Sequence, residues 1–315
     1  MPLEVNKIYQ GDSLQLLKEI KDDSISLSFW SPPYFVGKEY EKDLTYQDWV
    51  NLLQNTIKLH KKILKPGGFL VVNIADIVCF KDDSIPKYQS LNISKQRISV
   101  TREDVLRAKK EYPKYNRNQL AELLGCSEQT IDRRLNGNNI RGGKYQTMTR
   151  VHLVGDIVEK SGYDAGLYMY DRRIWKKDPS WQNSKWHGSS YRAIDEFEYL
   201  YVLWKPGQTI IDRSKITKDE WIEWGSRPVW NINSVRANND HEAKFPEELA
   251  QRVIKLYSDK GEIVLDPFIG SGTTAVSAIK EERNFIGIEL KNEFVKLSRK
   301  NVKKALEHSK QKSFI

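Results

Sequence analysis

The segment EIVLDPFIGSGTTAVSA, residues 262–278, combines residue types that can hold a nucleoside. An apolar run ends at Asp266, two glycines follow at Gly270 and Gly272, and a helical pattern comes next. Glycines allow a tight turn and close approach of a ligand to the backbone, and the free N–H groups of a helix N-terminus attract an anion. About 20 residues further on, a second apolar run ends at Glu289, whose carboxylate can accept hydrogen bonds from ribose hydroxyls.

The glycine spacing argues against two common classes of nucleotide-binding protein. A dinucleotide-binding turn has a third glycine where this chain has Ala275. The chain also lacks the Gly-Lys-Ser/Thr ending of a phosphate-binding loop. The pattern therefore favours a nucleoside-bearing cofactor without a pyrophosphate, and a nucleotide-dependent dehydrogenase is the weaker alternative.

A second segment, SFWSPPYF at residues 28–35, follows a predicted strand. Two prolines cannot continue a central strand, so the chain must leave the sheet at its carboxyl edge. They stiffen the loop that carries Ser31 and Tyr34, and we expect their backbone carbonyls to be unpaired. An ordinary loop with a packed tyrosine would explain this segment alone. Because both segments end strands at one edge of a sheet, together they predict a reaction centre.

These segments resemble the S-adenosylmethionine-dependent DNA amino-methyltransferases of the β type, which include the cytosine-N(4)-specific restriction–modification methylases. In that type a Ser/Asp-Pro-Pro-Tyr motif precedes an Asp-Pro-Phe-x-Gly-Ser-Gly-Thr-Thr motif, as Ser31–Tyr34 precedes Asp266–Thr274 here. Further matches are Gly11-Asp12, LKPGG at 64–68, Ile174-Trp175-Lys176 and HEAKFP at 241–246. The resemblance covers residues 1–80 and 151–300.

The resemblance implies S-adenosylmethionine as the cofactor, double-stranded DNA as the partner, and no metal site. It implies that the catalytic residues are Ser31, Pro32, Pro33 and Tyr34. It implies that the cofactor is bound by Asp12, Phe245, Asp266, Phe268, Gly270, Gly272, Thr273 and Glu289. A restriction–modification role would add a cognate restriction endonuclease that acts on the same site. The oligomeric state is left open.

The exocyclic amine of a base is a poor nucleophile, because its lone pair is delocalised into the ring. Ser31 Oγ and the Pro32 carbonyl can accept hydrogen bonds from the NH₂ group and localise that pair, while the Tyr34 ring can stack on the base. The base must leave the duplex to reach them, so base flipping is implied. Neither Cys79 nor Cys126 follows a proline, so we reject a covalent cysteine mechanism for methylation at a ring carbon.

The identity of the first motif residue separates two possible products. Ser31 resembles the cytosine-N(4) enzymes, whereas an aspartate at this place is commoner in the adenine-N(6) enzymes. We therefore expect N(4) methylation of a flipped cytosine, with adenine-N(6) methylation as the alternative. An alternative of another class is a helix-turn-helix DNA-binding regulator on an inactive methylase scaffold, and the presence of Ser31–Tyr34, Asp266 and Glu289 argues against it.

Alternating strand and helix patterns would position these residues. Strands are predicted over 25–30, 69–75, 168–175, 262–265 and 284–288, and helices over 46–64, 151–160, 246–257, 273–281 and 293–306. Such alternation predicts a doubly wound, mostly parallel, Rossmann-like α/β sheet. Residues 81–150 interrupt it, so residues 1–80 and 151–315 are predicted to form a discontinuous catalytic domain around an insert. Residues 176–235 look irregular and Trp-rich, and the resemblance implies target recognition there.

The insert carries the pattern of a helix-turn-helix. Ala121, Gly125 and Ile131 have the order and spacing of its small residue, turn glycine and buried anchor, and Ser127 is a plausible N-cap for the second helix. The polar face of that helix is expected to carry the DNA-binding residues Gln129, Thr130, Arg133 and Arg134.

Composition places limits on the whole protein. The 315 residues carry a formal net charge of +9, with 15 Lys/Arg against 8 Asp/Glu in residues 81–150 and 8 against 2 in residues 291–315. This basic excess favours a polyanionic partner. No apolar stretch approaches the roughly 18 residues of a membrane span, and the N-terminus lacks the layout of a signal peptide. With only two cysteines, a disulfide framework is excluded and a cytoplasmic protein is expected.

Overall fold

A computed structural model describes residues 2–35, 45–86, 89–90, 100–135, 144–145, 149–180, 192–235 and 244–312. The chain divides into two units, of which the first contains Met1–Phe80, Val151–Ser184 and Ile194–Ile315 and the second contains Lys81–Arg150 and Lys185–Ala193. Of the matched HEAKFP segment, only residues 244–246 lie in the described part. No helix in these described ranges is both long enough and apolar enough to cross a membrane.

Strands and helices alternate along most of the chain. The strands are β1 (Lys7–Gln10), β2 (Ile25–Trp30), β3 (Leu64–Ile74), β4 (Ile77–Lys81), β5 (Gln89–Ser90), β6 (Lys144–Tyr145), β7 (Thr149–His152), β8 (Tyr168–Ser180), β9 (Asp195–Trp204), β10 (Val229–Asn231), β11 (Ile263–Asp266) and β12 (Asn284–Glu289). The α-helices are α1 (Ser13–Leu16), α2 (Tyr46–Ile63), α3 (Arg102–Glu111), α4 (Arg117–Leu123), α5 (Glu128–Leu135), α6 (Gly155–Ala165), α7 (Lys218–Glu220), α8 (Glu247–Tyr257), α9 (Thr273–Lys280) and α10 (Asn292–Lys312).

The first unit is built on one eight-stranded sheet with the order β1-β12-β11-β2-β3-β9-β8-β10. Its strands pair in parallel except at β9, which runs antiparallel to both β3 and β8. The predicted doubly wound, mostly parallel α/β sheet is confirmed. The carboxyl ends of β11 and β2 lie side by side, and open α/β sheets bind their ligands outside such strand ends.

Both faces of the sheet are buried. Alternate residues of β2 and β3 belong to different apolar clusters, Phe29 and Val71 to one and Trp30 and Val72 to the other. Helices α8, α9 and α10 complete the first cluster, and α2 and α6 complete the second. This two-sided burial explains the apolar runs FLVV in β3 and IVL in β11.

Two sequence predictions for residues 151–235 are wrong. The helix predicted over 151–160 begins instead at Gly155, after β7, because a short apolar run suits a strand as well as a helix. The irregular region predicted over 176–235 contains β9, which lies between β3 and β8 and is rich in the aromatic and aliphatic residues that favour strands. Trp224 and Trp230 of this region are core residues, as expected.

In the described part of the second unit, three short helices surround a small apolar core. Residues of α3, α4 and α5 form that core, with Val100, Val105, Ala108, Leu120, Ala121 and Ile131 all buried. Gly125 makes the turn between α4 and α5 with a φ of +63°. Ser127 Oγ accepts a hydrogen bond from the Thr130 backbone N–H at 3.3 Å and so caps α5. This arrangement is that of a helix-turn-helix.

Candidate active site

The loop after β2 carries the four predicted catalytic residues to the carboxyl edge of the sheet. Trp49 of α2 donates a hydrogen bond from Nε1 to the Pro33 carbonyl at 2.7 Å. The expectation that both proline carbonyls are unpaired is therefore wrong for Pro33, because α2 packs beneath the loop. No donor in the described part of the chain contacts the Pro32 carbonyl. That oxygen is available to accept a hydrogen bond.

A chain of hydrogen bonds runs from Ser31–Tyr34, named the catalytic loop after the predicted role of its residues, to the first residues of β9. Ser31 Oγ donates to Tyr34 Oη at 3.0 Å, and Tyr34 Oη donates to Glu198 Oε2 at 2.6 Å. Lys177 Nζ donates to Glu198 Oε1 at 2.7 Å and lies 3.3 Å from Asp195 Oδ2. The hydroxyl of Tyr34 is thus held by protein groups, and stacking of its ring on a base stays a prediction.

The three charged residues at the far end of this chain are poorly accessible to water. The Glu198 side chain is 8% exposed and the Lys177 side chain 13%. Burial lowers the Lys177 pKa, but the carboxylates of Glu198 and Asp195 outweigh it, so the net pKa is raised. Burial raises the Asp195 pKa.

Sequence reasoning missed these three residues. The signals that could have found them are a glutamate inside the apolar run of β9 and a lysine beside the matched Ile174-Trp175-Lys176 element.

Asp266 shapes the turn after β11. It is 2% exposed, its Oδ2 accepts from the Thr274 hydroxyl at 2.6 Å, and its Oδ1 accepts from the Phe268 N–H at 2.9 Å. Burial raises the pKa of Asp266 to about 7. Because both oxygens hold the loop itself, a direct contact between Asp266 and the cofactor stays a prediction.

The two glycines of this turn have the backbone freedom that the sequence indicates. Gly270 has a φ of +50° and Gly272 a φ of +92°, a region that residues with a side chain rarely adopt. A Cβ at Gly272 would also lie 3.1 Å from Ser298 Cα. Thr273 begins α9 directly after this turn.

Glu289 contacts the glycine turn from the end of β12, and Asp12 lies just after the neighbouring strand β1. Glu289 Oε2 accepts from the Gly270 N–H at 3.0 Å, and Glu289 Oε1 accepts from the Lys291 N–H at 2.9 Å. The Gly11 N–H donates to the Glu289 carbonyl at 3.0 Å, which brings the end of β1 to the end of β12. Asp12, next along the chain, caps α1 and is exposed.

Aromatic contacts connect the two predicted loops. The Phe268 ring lies 5.4 Å from Trp30, and the Phe245 ring lies 5.0 Å from Phe29. Trp30 and Phe29 directly precede Ser31 in β2. The structure therefore brings the predicted cofactor-binding residues to the edge that carries the catalytic loop.

These residues fit a nucleoside-bearing cofactor. A carboxylate has about four acceptor sites, so Glu289 and Asp12 can still accept hydrogen bonds from hydroxyl or amine groups. Gly270 and Gly272 have no side chains that would keep a ligand away from their backbone, and the first N–H groups of α9 follow them directly. Phe245 and Phe268, both half-buried, add apolar surface.

In the second unit, the structure separates the four predicted DNA-binding residues into two pairs. Gln129 and Arg133 are exposed and lie one helical turn apart on α5. The prediction of an exposed Thr130 is wrong, because this residue is 5% exposed and its hydroxyl contacts Ser127 Oγ. Arg134 is half-buried and donates from Nε to the Val100 carbonyl at 2.9 Å. Its guanidinium therefore connects α5 to the backbone of Val100, a residue of the apolar core of this unit.

Comparison with known sequences finds relatives along nearly the whole chain. A profile of the N6/N4 methylase group, described as DNA methylase, matches residues 25–300. The type II methyltransferase M.BglI of Bacillus subtilis is 58% identical over 300 residues, which cover 95% of this chain and 86% of the relative. The DNA adenine methyltransferase YhdJ of Escherichia coli strain K12 is 27% identical over 318 residues, which cover 97% and 85%.

Comparison with solved structures finds the same fold. The PvuII DNA methyltransferase (cytosine-N4-specific) superposes with a TM-score of 0.62 at 18% identity, covering 98% of this chain and 93% of that one. The Thermus thermophilus protein TTHA0409, complexed with S-adenosyl-L-methionine, superposes with a TM-score of 0.61 at 20% identity, covering 95% and 93%. Both similarities support the architecture of the sheet.

Proposed function

This chain belongs to the N6/N4 DNA methylase family, and we propose that it methylates N(4) of a cytosine flipped out of double-stranded DNA. The family match and the M.BglI relative show the general activity, which is that of a type II DNA methyltransferase in restriction–modification. What we propose beyond this activity is the target base, the atom that is methylated and the flipping of that base out of the duplex. Site-specific methylation would protect DNA from a cognate restriction endonuclease that acts on the same sequence.

The observation that carries the proposal is the pair of acceptors on the loop after β2. Ser31 Oγ and the Pro32 carbonyl stand at the edge that also holds Glu289 and the glycine turn. S-adenosylmethionine, when bound there, supplies a methyl group attached to a positively charged sulfur. Ser31 and Pro32 accept hydrogen bonds from the target amine, localise its lone pair and aim it for attack. The Tyr34 ring stacks on the extruded base.

Ser31 supports cytosine as the target, because a serine at the head of this motif resembles the N(4) enzymes. The N6/N4 family name and the name of the adenine methyltransferase YhdJ support adenine-N(6) as the second candidate. The same acceptors would serve an adenine amine, so the site geometry is compatible with both bases.

Analysis of methylated DNA tests this choice. DNA from cells that produce the enzyme is hydrolysed, and its nucleosides are separated and identified by mass spectrometry. We expect N(4)-methylcytosine, absent in cells that produce a Ser31→Ala/Tyr34→Ala variant. Detection of N(6)-methyladenine alone would exclude the cytosine assignment. Single-molecule sequencing of the same DNA would give the recognition sequence.

We further propose that α5 reads DNA through Gln129 and Arg133. Both side chains are exposed on one face, and glutamine and arginine suit the base edges of the major groove. We limit the proposed target-recognition role of residues 176–235 to the parts outside β8, β9 and β10, because those strands belong to the sheet.

A further inference from the structure

Glu198 lies behind the catalytic loop and belongs to none of the matched sequence motifs. It sits near the start of β9 and is 6% exposed. Each of its carboxylate oxygens has a partner, Tyr34 Oη at 2.6 Å on one and Lys177 Nζ at 2.7 Å on the other. A group this well paired has a defined orientation, and its hydrogen bonds lead to Ser31 through Tyr34.

The donors and acceptors along this chain have one consistent direction. A lysine ammonium can only donate and an ionised carboxylate can only accept. Tyr34 therefore donates its hydroxyl hydrogen to Glu198 at 2.6 Å, and Tyr34 Oη accepts the hydroxyl hydrogen of Ser31 at 3.0 Å. Ser31 Oγ then presents only lone pairs to the space beyond the loop.

We propose that Glu198 is a positioning residue that forces Ser31 to act as a hydrogen-bond acceptor toward the target amine. The inference rests on the proposed amine methylation and holds for either base. The amine nitrogen gains positive charge during transfer, so lone pairs of Ser31 stabilise that charge and a hydrogen aimed at the nitrogen would oppose it. Lys177 supports the direction by occupying the second oxygen of Glu198.

Glu198→Gln is the informative variant because it reverses the direction of hydrogen-bond donation between residue 198, Tyr34 and Ser31. Lys177 will take the amide oxygen, which leaves the amide NH₂ group facing Tyr34 Oη. Tyr34 then accepts from the amide and can donate its own hydrogen to Ser31 Oγ, which lies 3.0 Å away, so that the Ser31 hydrogen turns toward the substrate. We expect the single-turnover methylation rate to fall roughly 100-fold, with little change in the KM for DNA or cofactor.

Removal of the tyrosine hydroxyl should suppress this defect. Tyr34→Phe alone keeps the ring and removes the link, so we expect a loss of roughly tenfold. In Tyr34→Phe/Glu198→Gln the hydroxyl that would donate to Ser31 is gone, so the rate of this double variant should equal that of Tyr34→Phe and exceed that of Glu198→Gln. A residue that serves only folding would instead give losses that add. A double variant slower than both singles would overturn the proposal.

The control is Glu262→Gln, the same chemical change at the opposite, amino edge of the same sheet. Glu262 pairs with Lys65 at 3.0 Å and lies outside the catalytic machinery, so the methylation rate should stay at the wild-type value. Thermal melting of all variants reports folding.

If Glu198→Gln does not fold, Lys177→Met/Glu198→Gln replaces it. There the amide oxygen can turn to Tyr34, and the rate should stay within roughly threefold of wild type. A rate roughly 100-fold below wild type, as expected for Glu198→Gln, would refute the proposal.

The wild-type arm separates failure of the inference from failure of the proposed function. If the wild-type protein leaves no methylated amine in DNA, the proposed function fails. If it methylates an amine and Glu198→Gln reacts at the same rate, the function stands and the positioning role of Glu198 is wrong.

Discussion

The first unit, called the catalytic unit because it carries the candidate active site, and the second, called the helix-turn-helix unit, differ in whether their charged side chains are buried. In the catalytic unit Glu198, Asp266 and Arg283 are buried, and each has hydrogen-bond partners within the protein. In the described part of residues 81–150, no ionisable side chain is buried and the core is apolar. Its charged residues, such as Arg133 and Lys109, face solvent.

This difference fits the roles that we propose for the two units. Methyl transfer needs a few groups held in one orientation, and a buried, fully paired carboxylate holds its neighbours more rigidly than a hydrated one. DNA binding draws on exposed lysine and arginine, because they release counterions from the phosphates. Changes in the two units should therefore separate chemistry from affinity.

The largest expected effect is loss of chemistry with affinity retained. Ser31→Ala/Tyr34→Ala removes the hydroxyl acceptor and the stacking ring, so methyl transfer should fall roughly a thousandfold. DNA binding, measured by fluorescence anisotropy, should stay near the wild-type value. Equal loss of binding and transfer would mean that the loop after β2 is part of the main DNA-binding surface. Unchanged transfer would favour a regulator on an inactive scaffold.

A buried histidine should make the catalytic unit sensitive to acid. His60 is fully buried, contacts Ser28 Oγ at 2.8 Å, and has a pKa lowered by burial from 6.5 to about 4. Between these values the unfolded chain binds the extra proton, so the stability due to His60 is complete above pH 6.5 and lost as the pH falls to 4. The loss is about 3 kcal/mol in the free energy of unfolding.

The measurement is urea unfolding of wild type and His60→Gln across this pH range, followed by tryptophan fluorescence. The free energy of unfolding of wild type minus that of His60→Gln should decrease from pH 6.5 to pH 4. Both proteins contain the other titratable groups, such as Asp266, so the contributions of those groups cancel in this difference. A pH-independent difference would show that His60 does not titrate in this window.

Two glycines with positive φ offer a matched comparison between the units. Gly272→Ala combines backbone strain of about 1–2 kcal/mol with a contact to Ser298, so cofactor affinity should fall roughly tenfold. A Cβ at Gly125 meets nothing within 4 Å. Gly125→Ala should therefore lower stability by about 1 kcal/mol and leave cofactor affinity unchanged. Calorimetric titration of the two variants with the cofactor measures their affinities. Equal affinities in Gly272→Ala and Gly125→Ala would contradict the role of the Gly272 turn.

The smallest expected effect distinguishes two neighbouring arginines. Arg133→Ala should weaken DNA binding a few-fold and lower the slope of log affinity against log salt by about 1. Arg134→Ala removes the hydrogen bond to Val100, so it should lower the melting temperature and change that slope less. Titrations at several salt concentrations measure both. Unchanged slopes in both variants would exclude the insert as a DNA reader.

Local sequence patterns predicted most of the fold and the loops of the site. The strand before Ser31 and the strand, turn and helix around Asp266 are contiguous, so their residue types determine local geometry wherever the chain lies. The turn at Gly125 was predictable for the same reason. Strand β9 was not, because aromatic residues that suit a buried strand equally suit a Trp-rich irregular segment.

The sequence by itself determined the doubly wound class, the glycine turn, the acceptor loop and the helix-turn-helix insert, because each is encoded within a short stretch of residues. Only the tertiary structure decided what stands behind Ser31 and which helical residues face solvent. Tyr34 and Glu198 are 164 positions apart in sequence and meet through the placement of β9 in the sheet. Thr130 is buried where α5 begins, with its hydroxyl against Ser127, and the next residue, Ile131, belongs to the core of the insert. Pairings at such separation depend on the packing of whole elements, which local residue types do not specify.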